Sequence, residues 1–145
     1  MRWFIAIGAV LLAAAAQASD VGEIKTVRGA VHIERGGTLL AASPGMNVRQ
    51  SDVLVTGADG AVGVTFLDNS LLSLGPGSRL GIDHYSFDST THAGRFDSSL
   101  SKGTLAVVSG KMVKQSPDAM RVRTPTGVMG VRGTEFAVQV GESGR

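Results

Sequence analysis

The sequence predicts an all-β fold: a compact roll or sandwich of about ten short strands, with a short β-helix as the other way to coil the same strands. Short apolar runs alternate with polar residues at a period of two, the mark of half-buried strands. Turn signals separate these runs at intervals of roughly eight to twelve residues. The composition, 20 glycines and 4 prolines in 145 residues with 43% hydrophobic residues, suits tight turns around a core better than disorder.

The N-terminus is set apart from this pattern. Arg2 supplies a positive charge, residues 3–16 form an alanine-rich apolar run, and Ala16-Gln17-Ala18 is a small-x-small cleavage site. The run is too short to span a bilayer comfortably. Residues 1–18 are therefore expected to be a cleaved signal peptide and residues 19–145 one all-β domain; an uncleaved anchor is the alternative. No integral membrane segment is expected after cleavage. The expected location is the periplasm, with secretion as the alternative.

Cysteine is missing from the sequence, so neither a disulfide nor a lipid-modified cysteine is available, and stability must come from burial and backbone pairing. The formal net charge is +2, and one less once Arg2 is removed. Without a Lys/Arg run, and with 1 Tyr and 1 Trp, the sequence gives nucleic-acid binding no support.

The strands follow in order. Residues 22–27 begin the domain, and Gly29 marks a bend before residues 30–35, where Val31 and Ile33 point one way and His32 and Glu34 the other. Gly36-Gly37 and Pro44-Gly45 are turns, and Asp52 opens the apolar run Val53-Leu54-Val55. After Asp59-Gly60 comes the clearest alternation, Val62, Val64 and Phe66 on one face. Asp68-Asn69 turns the chain, Leu72 and Leu74 resume the pattern, Gly75-Pro76-Gly77 reverses it, and Leu80 and Ile82 are the next inward pair. Residues 86–97 break the rhythm and read as a polar loop or a loose hairpin with its tip at His92-Ala93-Gly94. Residues 99–110 are strand-like again, with Leu105, Val107 and Val108 apolar. Ser116-Pro117-Asp118 turns into the most distinctive stretch.

That stretch, residues 120–140, alternates through Arg121, Val122, Arg123 and Thr124, stops at Pro125, and then places Gly127, Gly130 and Gly133 three residues apart. Such glycines permit positive φ and close backbone approach. A phosphate cradle is disfavoured, because alternation resumes through Thr134 and Phe136 and no helix N-terminus follows to hold an anion. The expectation is a crowded strand–turn–strand in which valine at Gly130 or Gly133 costs about 1–3 kcal/mol. Arg132 is expected to pair with Asp52, Asp59 or Asp68, and Arg132→Ala to cost less than the glycine changes. Residues 134–140 are expected to form an edge strand.

The residues Thr124-Pro125-Thr126-Gly127-Val128-Met129-Gly130-Val131-Arg132-Gly133-Thr134-Glu135-Phe136 resemble the signature of the FecR domain, a bacterial periplasmic module. Residues 52–57 (Asp-Val-Leu-Val-Thr-Gly) and Asp68-Asn69-Ser70 resemble the family's pattern more loosely, and the resemblance extends over residues 22–140. Anchored members sense iron–siderophore uptake and signal through an anti-sigma segment. The resemblance implies a fold signature without a catalytic residue.

Catalysis finds no other support. Asp83 and His84 are adjacent, so a strand would point them to opposite faces, and no serine lies in a nucleophile elbow. His32, His84 and His92 lack metal-ligand spacing; Asp88, His92 and Asp97 are the best metal candidates and remain weaker than a solvated loop. No pattern requires a cofactor. The expected function is a non-catalytic sensory or binding module that contacts another envelope protein. The alternative is a cell-wall or glycan-binding module. Tyr85, Phe87, His92 and Phe96 are the candidate partner surface, because Phe66 and Phe136 read as core.

Export is testable on the purified protein. Mass spectrometry of material from the cell envelope is expected to find Ser19 as the first residue; Met1 retained in the membrane fraction would establish an anchor instead.

Overall fold

The computed structural model describes residues 20–130 and 135–141; the leader with its cleavage site, and Arg132, Gly133 and Thr134, lie outside the described residues. The protein is all-β, 63% strand and 4% helical, as the alternation predicts. Its strands are β1 (Asp20–Arg28), β2 (Val31–Arg35), β3 (Thr38–Ala41), β4 (Asn47–Arg49), β5 (Val53–Thr56), β6 (Ala61–Phe66), β7 (Leu71–Leu74), β8 (Arg79–Phe87), β9 (Gly94–Val108), β10 (Met120–Thr124), β11 (Gly127–Gly130) and β12 (Glu135–Val140). One helical turn, α1 (Lys111–Gln115), follows β9.

The strands form one curled sheet, antiparallel except where β10 runs parallel to β9. Its two halves share β9. The first part of β9 pairs with β8, from Gly94 opposite Phe87 to Lys102 opposite Arg79, and with β10 on its other side. The last part lies between β7 and β12. One half therefore runs β3-β2-β5-β8-β9-β10-β11, and the other β4-β1-β6-β7-β9-β12.

The core fills the curl. Val62, Val64 and Phe66 of β6, Leu72 and Leu74 of β7, and Leu80 and Ile82 of β8 all point inward, as their alternation requires. Along β9 the buried parity changes: Phe96, Ser98 and Leu100 are inside, then Leu105 and Val107. A strict period of two would turn Thr104 inward and expose Leu105. The pairing with β8 slips between Arg79 and Leu80, opposite Lys102 and Leu100, so the extra residue of a β-bulge resets the face. Gly103 completes the bend at φ +96, and a Cβ there would collide with Ser78. Buried Ser78 Oγ accepts from Thr104 N at 3.0 Å and donates to Gly75 O at 2.8 Å, while Ser78 N donates to Thr56 Oγ1 at 2.8 Å. Polar groups at the bend are thus satisfied inside the protein.

A second buried network closes the end near α1. Asp68 is 1% exposed. Ser70 Oγ donates to its carboxylate at 2.6–2.7 Å, Tyr85 Oη donates at 3.0 Å, and Ser70 N and Met112 N donate at 3.1 and 3.3 Å. Asp68 N in turn donates to Tyr85 Oη at 3.1 Å, and Gly110 N donates to Ser70 Oγ at 3.2 Å. The β6–β7 turn, β8 and the start of α1 are tied to one side chain. Burial and the Asp68 carboxylate push the Tyr85 phenol well above its ordinary range.

Several expectations are corrected. Of the two readings of residues 86–97 the hairpin holds and the open loop does not: they form the end of the β8–β9 hairpin, with the tip at residues 88–93 rather than at His92-Ala93-Gly94. Asp88 Oδ1 accepts from Thr90 N and Thr91 N at 2.8 and 3.1 Å, an Asx turn that a polar composition conceals. Gly130 is not crowded: it lies in exposed β11, has no positive φ, and among the described residues nothing comes within 4 Å of a Cβ built on it. Gly127, at the turn of the β10–β11 hairpin, is equally open. Crowding falls instead on other glycines, Gly103 and Gly29 among them, which combine positive φ with a Cβ that would collide.

Gly103→Ala is therefore expected to destabilise by about 3 kcal/mol or more, by strain and overpacking, whereas Gly130→Val stays within about 0.5 kcal/mol of wild type. Thermal unfolding of the two variants checks the contrast.

Tyr85, the one tyrosine of the chain, also sets a pH limit. Its folded pKa is raised, so above pH about 10 the unfolded chain releases a proton that the folded one retains, and stability falls as pH rises. The tyrosinate absorbance is expected to appear well above its ordinary pH and together with unfolding. An ordinary titration of the folded protein would contradict the buried network.

Candidate functional site

The residues that resemble the upstream family pattern serve the fold. Asp52, 1% exposed, receives a two-pronged contact from Arg35: Nε to Oδ1 at 2.9 Å and Nη2 to Oδ2 at 2.8 Å. Arg49 N donates to the same Oδ2 at 2.8 Å, and Ile82 N donates to Asp52 O at 2.8 Å. β2, the end of β4 and β8 meet on this residue. Thr56 belongs to the bend at Ser78, and Asp68 and Ser70 to the network around Tyr85. Asp59 Oδ1 accepts from Ala30 N at 3.3 Å. The carboxylates proposed for Arg132 thus hold other groups; Arg132 itself is outside the described residues.

The aromatic partner surface divides. Tyr85 and Phe96 are core residues, 6% and 0% exposed, which corrects their assignment to a surface. They pack on Phe66, with ring centroids 5.4 Å from Phe66 to Tyr85, 4.7 Å from Phe66 to Phe96 and 5.0 Å between Tyr85 and Phe96. The physical reason is the hairpin: opposite each other on β8 and β9, they share the inward face. Phe87 and His92 remain half-buried at the tip and stack with centroids 5.9 Å apart. Phe136 on β12 packs partly against the core. Thr124 is buried at the end of β10, and its Oγ1 donates to Gly127 O at 3.1 Å; Pro125 is exposed in the turn.

Among the described residues, no group of three or more His, Cys, Asp or Glu side chains is placed to hold a metal, and no helix is long and apolar enough to cross a membrane. Asp88 and His92 occupy the hairpin tip, and Asp97 sits on β9 in a different setting.

That setting is the outer face of β8, β9, β10 and β11. Register places Asp97 beside Arg121, and Ser99 beside Arg123. Asp83, Arg95, Asp97, Ser98, Ser99, Arg121, Arg123 and Val128 line a cleft of about 390 Å³. Arg95 Nε pairs with Asp97 Oδ2 at 2.6 Å, and Ser99 Oγ donates to Asp83. Arg121 and Arg123 are exposed and hold no carboxylate among the described residues. Asp97 Oδ1 is buried without a hydrogen-bond partner among them. Sequence reading finds no basic cluster because Arg95 lies far from Arg121 and Arg123 along the chain. The i, i+2 spacing of Arg121 and Arg123 is the one legible sign, since it puts both on one face of a strand.

This surface presents two exposed guanidinium groups beside a serine–carboxylate contact, a setting suited to recognition of a charged group. Among curated proteins and among solved structures, nothing matches the chain. The family model described as FecR protein matches residues 52–145. This span begins at the buried Asp52 and includes both the Asp68 network and the glycine-rich hairpin, so the chain belongs to the FecR family, whose members are regulatory, signalling-associated proteins.

Proposed function

We propose that this protein is a non-catalytic periplasmic module that binds another envelope protein and through it takes part in signalling. The observation that carries this reading is the division of labour among its polar residues. Asp52, Thr56, Asp68 and Ser70 of the family pattern are buried and hydrogen-bonded within the fold, while Arg121 and Arg123 stand exposed on an outer face and hold no carboxylate among the described residues. Unused charge on a rigid sheet face favours a partner that supplies the complement. Membership of a signalling-associated family supports the same class of role.

The glycan-binding alternative loses support from the burial of Tyr85 and Phe96. A sugar-stacking platform needs exposed ring faces, and these two are covered.

Affinity capture from envelope extract, set against sedimentation with purified peptidoglycan, tests the proposal. The expected result is a discrete envelope protein that rebinds after purification, with this domain left in the supernatant of the sedimentation. Co-sedimentation without any rebinding protein would overturn the proposal in favour of the wall.

A further inference from the structure

We infer that the outer edge of β11, beside the cleft that holds Arg121 and Arg123, takes an extended peptide segment of a protein partner, one with acidic side chains at alternate positions, added as a strand. The inference rests on the protein-binding reading above and names the chemistry that would be bound. Three observations lead to it. First, Arg121 and Arg123 stand two residues apart on one face of β10, a separation of about 6.5 Å along the strand. A peptide strand with acidic residues at alternate positions repeats at the same distance, so two carboxylates can face two guanidinium groups in register.

Second, β11 pairs with β10 alone among the described residues, and its outer edge has no partner strand among them. Val128 and Met129 on that strand are 59% and 38% exposed. An edge of this kind accepts a strand through main-chain hydrogen bonds, and side-chain contacts then give specificity. Gly130 lies opposite Arg121 in the β10–β11 register, with open space where a side chain would stand. The Arg121 side chain can therefore reach across β11 toward an added strand. This gives Gly130 a purpose that crowding does not.

Third, Asp97 lines the cleft beside Arg121, but its Oδ1 is buried and its Oδ2 pairs with Arg95, so among the described residues the two arginines are the charges this face leaves open. A ligand that satisfies it must bring an anion for each arginine. A bare anion supplies one. An acidic peptide supplies two at the spacing of the arginines, with amide groups for the edge of β11. Asp83, on the same face, disfavours a carboxylate on its side of the cleft and so favours register with the two arginines on β10.

The test uses fluorescent octapeptides titrated into the mature protein: one alternating Glu and Thr, one alternating Lys and Thr, and the Glu–Thr peptide N-methylated at alternate residues. The Glu–Thr peptide is expected to bind, more weakly as salt rises, and to lose about fivefold in affinity with Arg121→Ala and again with Arg123→Ala. The other two peptides are expected to bind at least about fivefold more weakly. Unchanged melting of both variants is expected, and Arg121→Lys in place of alanine recovers part of the binding if charge is what matters. Equal binding of the Glu and Lys peptides, or of wild type and the double variant, overturns the inference. So does equal binding of the N-methylated peptide, which removes the edge pairing, or full competition by sulfate alone, which leaves an anion site. Sedimentation with peptidoglycan that depends on the arginines, with no peptide binding, overturns it in favour of a glycan. If the double variant still captures and rebinds the same envelope protein as wild type, the cleft is wrong while the protein-binding reading stands. If neither captures a protein, that broader reading fails.

Discussion

Everything in this fold passes through the bend at Gly103. A strand of fifteen residues cannot belong to two halves of a curled sheet unless it turns, and it cannot keep its apolar residues inside across the turn unless its parity resets. The bulge beside Lys102 resets it, and positive φ at Gly103 turns it. Ser78 then fills the space that a larger residue at 103 would need, and its hydroxyl satisfies the backbone exposed by the bend. Remove the bend and either β8 and β10 or β7 and β12 lose their neighbour. Leu105 and Val107 would also lose their place in the core, each worth about 1.5–3 kcal/mol of burial.

With no disulfide, the remaining specificity comes from buried polar groups placed where strands meet. Asp52 and Asp68 are each almost fully covered, but they are held differently. Asp52 has a guanidinium partner, Arg35, whose own proton is held more tightly by the contact. Asp68 is satisfied by hydroxyl and amide donors, with Tyr85 contributing both an acceptor and a donor. Buried carboxylates of this kind are weak arguments for net stability, because desolvation opposes what the contacts return. They are stronger arguments for uniqueness. A strand that slips by one residue leaves a buried charge or donor without its partner, at about 1–3 kcal/mol or more for each group.

Much of the fold was legible in the sequence, and the omissions have physical causes. The alternations in β6, β7 and the start of β8 are clean because those strands have one buried face and no bulge nearby. The β8–β9 hairpin was obscured because Tyr85 and Phe96 are embedded among Ser, Asp, Thr and His, and because an Asx turn at Asp88 looks like a loop from composition alone. α1 is a single turn, too short to show helical periodicity, yet it buries Met112 and Val113. The three-residue glycine spacing suggested crowding, whereas Gly127 and Gly130 are open among the described residues and crowded glycines such as Gly103, after an unremarkable Ser-Lys pair, lie elsewhere. Spacing of glycines along a chain does not report which of them faces another backbone; only the packing does.

The candidate site was the least legible because it depends on register. Arg95, Asp97, Arg121 and Arg123 come together only because β10 runs parallel to β9, with Arg121 beside Asp97 and Arg123 beside Ser99. A parallel pair needs a connection that carries the chain back to the same end. Here that return includes the last part of β9, then α1 and its following turn, and α1 is anchored by Lys111 N and Met112 N donating to Asp68. The buried Asp68 network therefore fixes the return that sets β10 beside β9, and with it the placement of two arginines on the outer face. The same arrangement shows how Asp52, Asp68 and Ser70 of the family pattern can be structural while β11, part of the same pattern, stays at the surface. The buried residues define where a face will be, and the exposed residues of β9, β10 and β11 define what that face can hold.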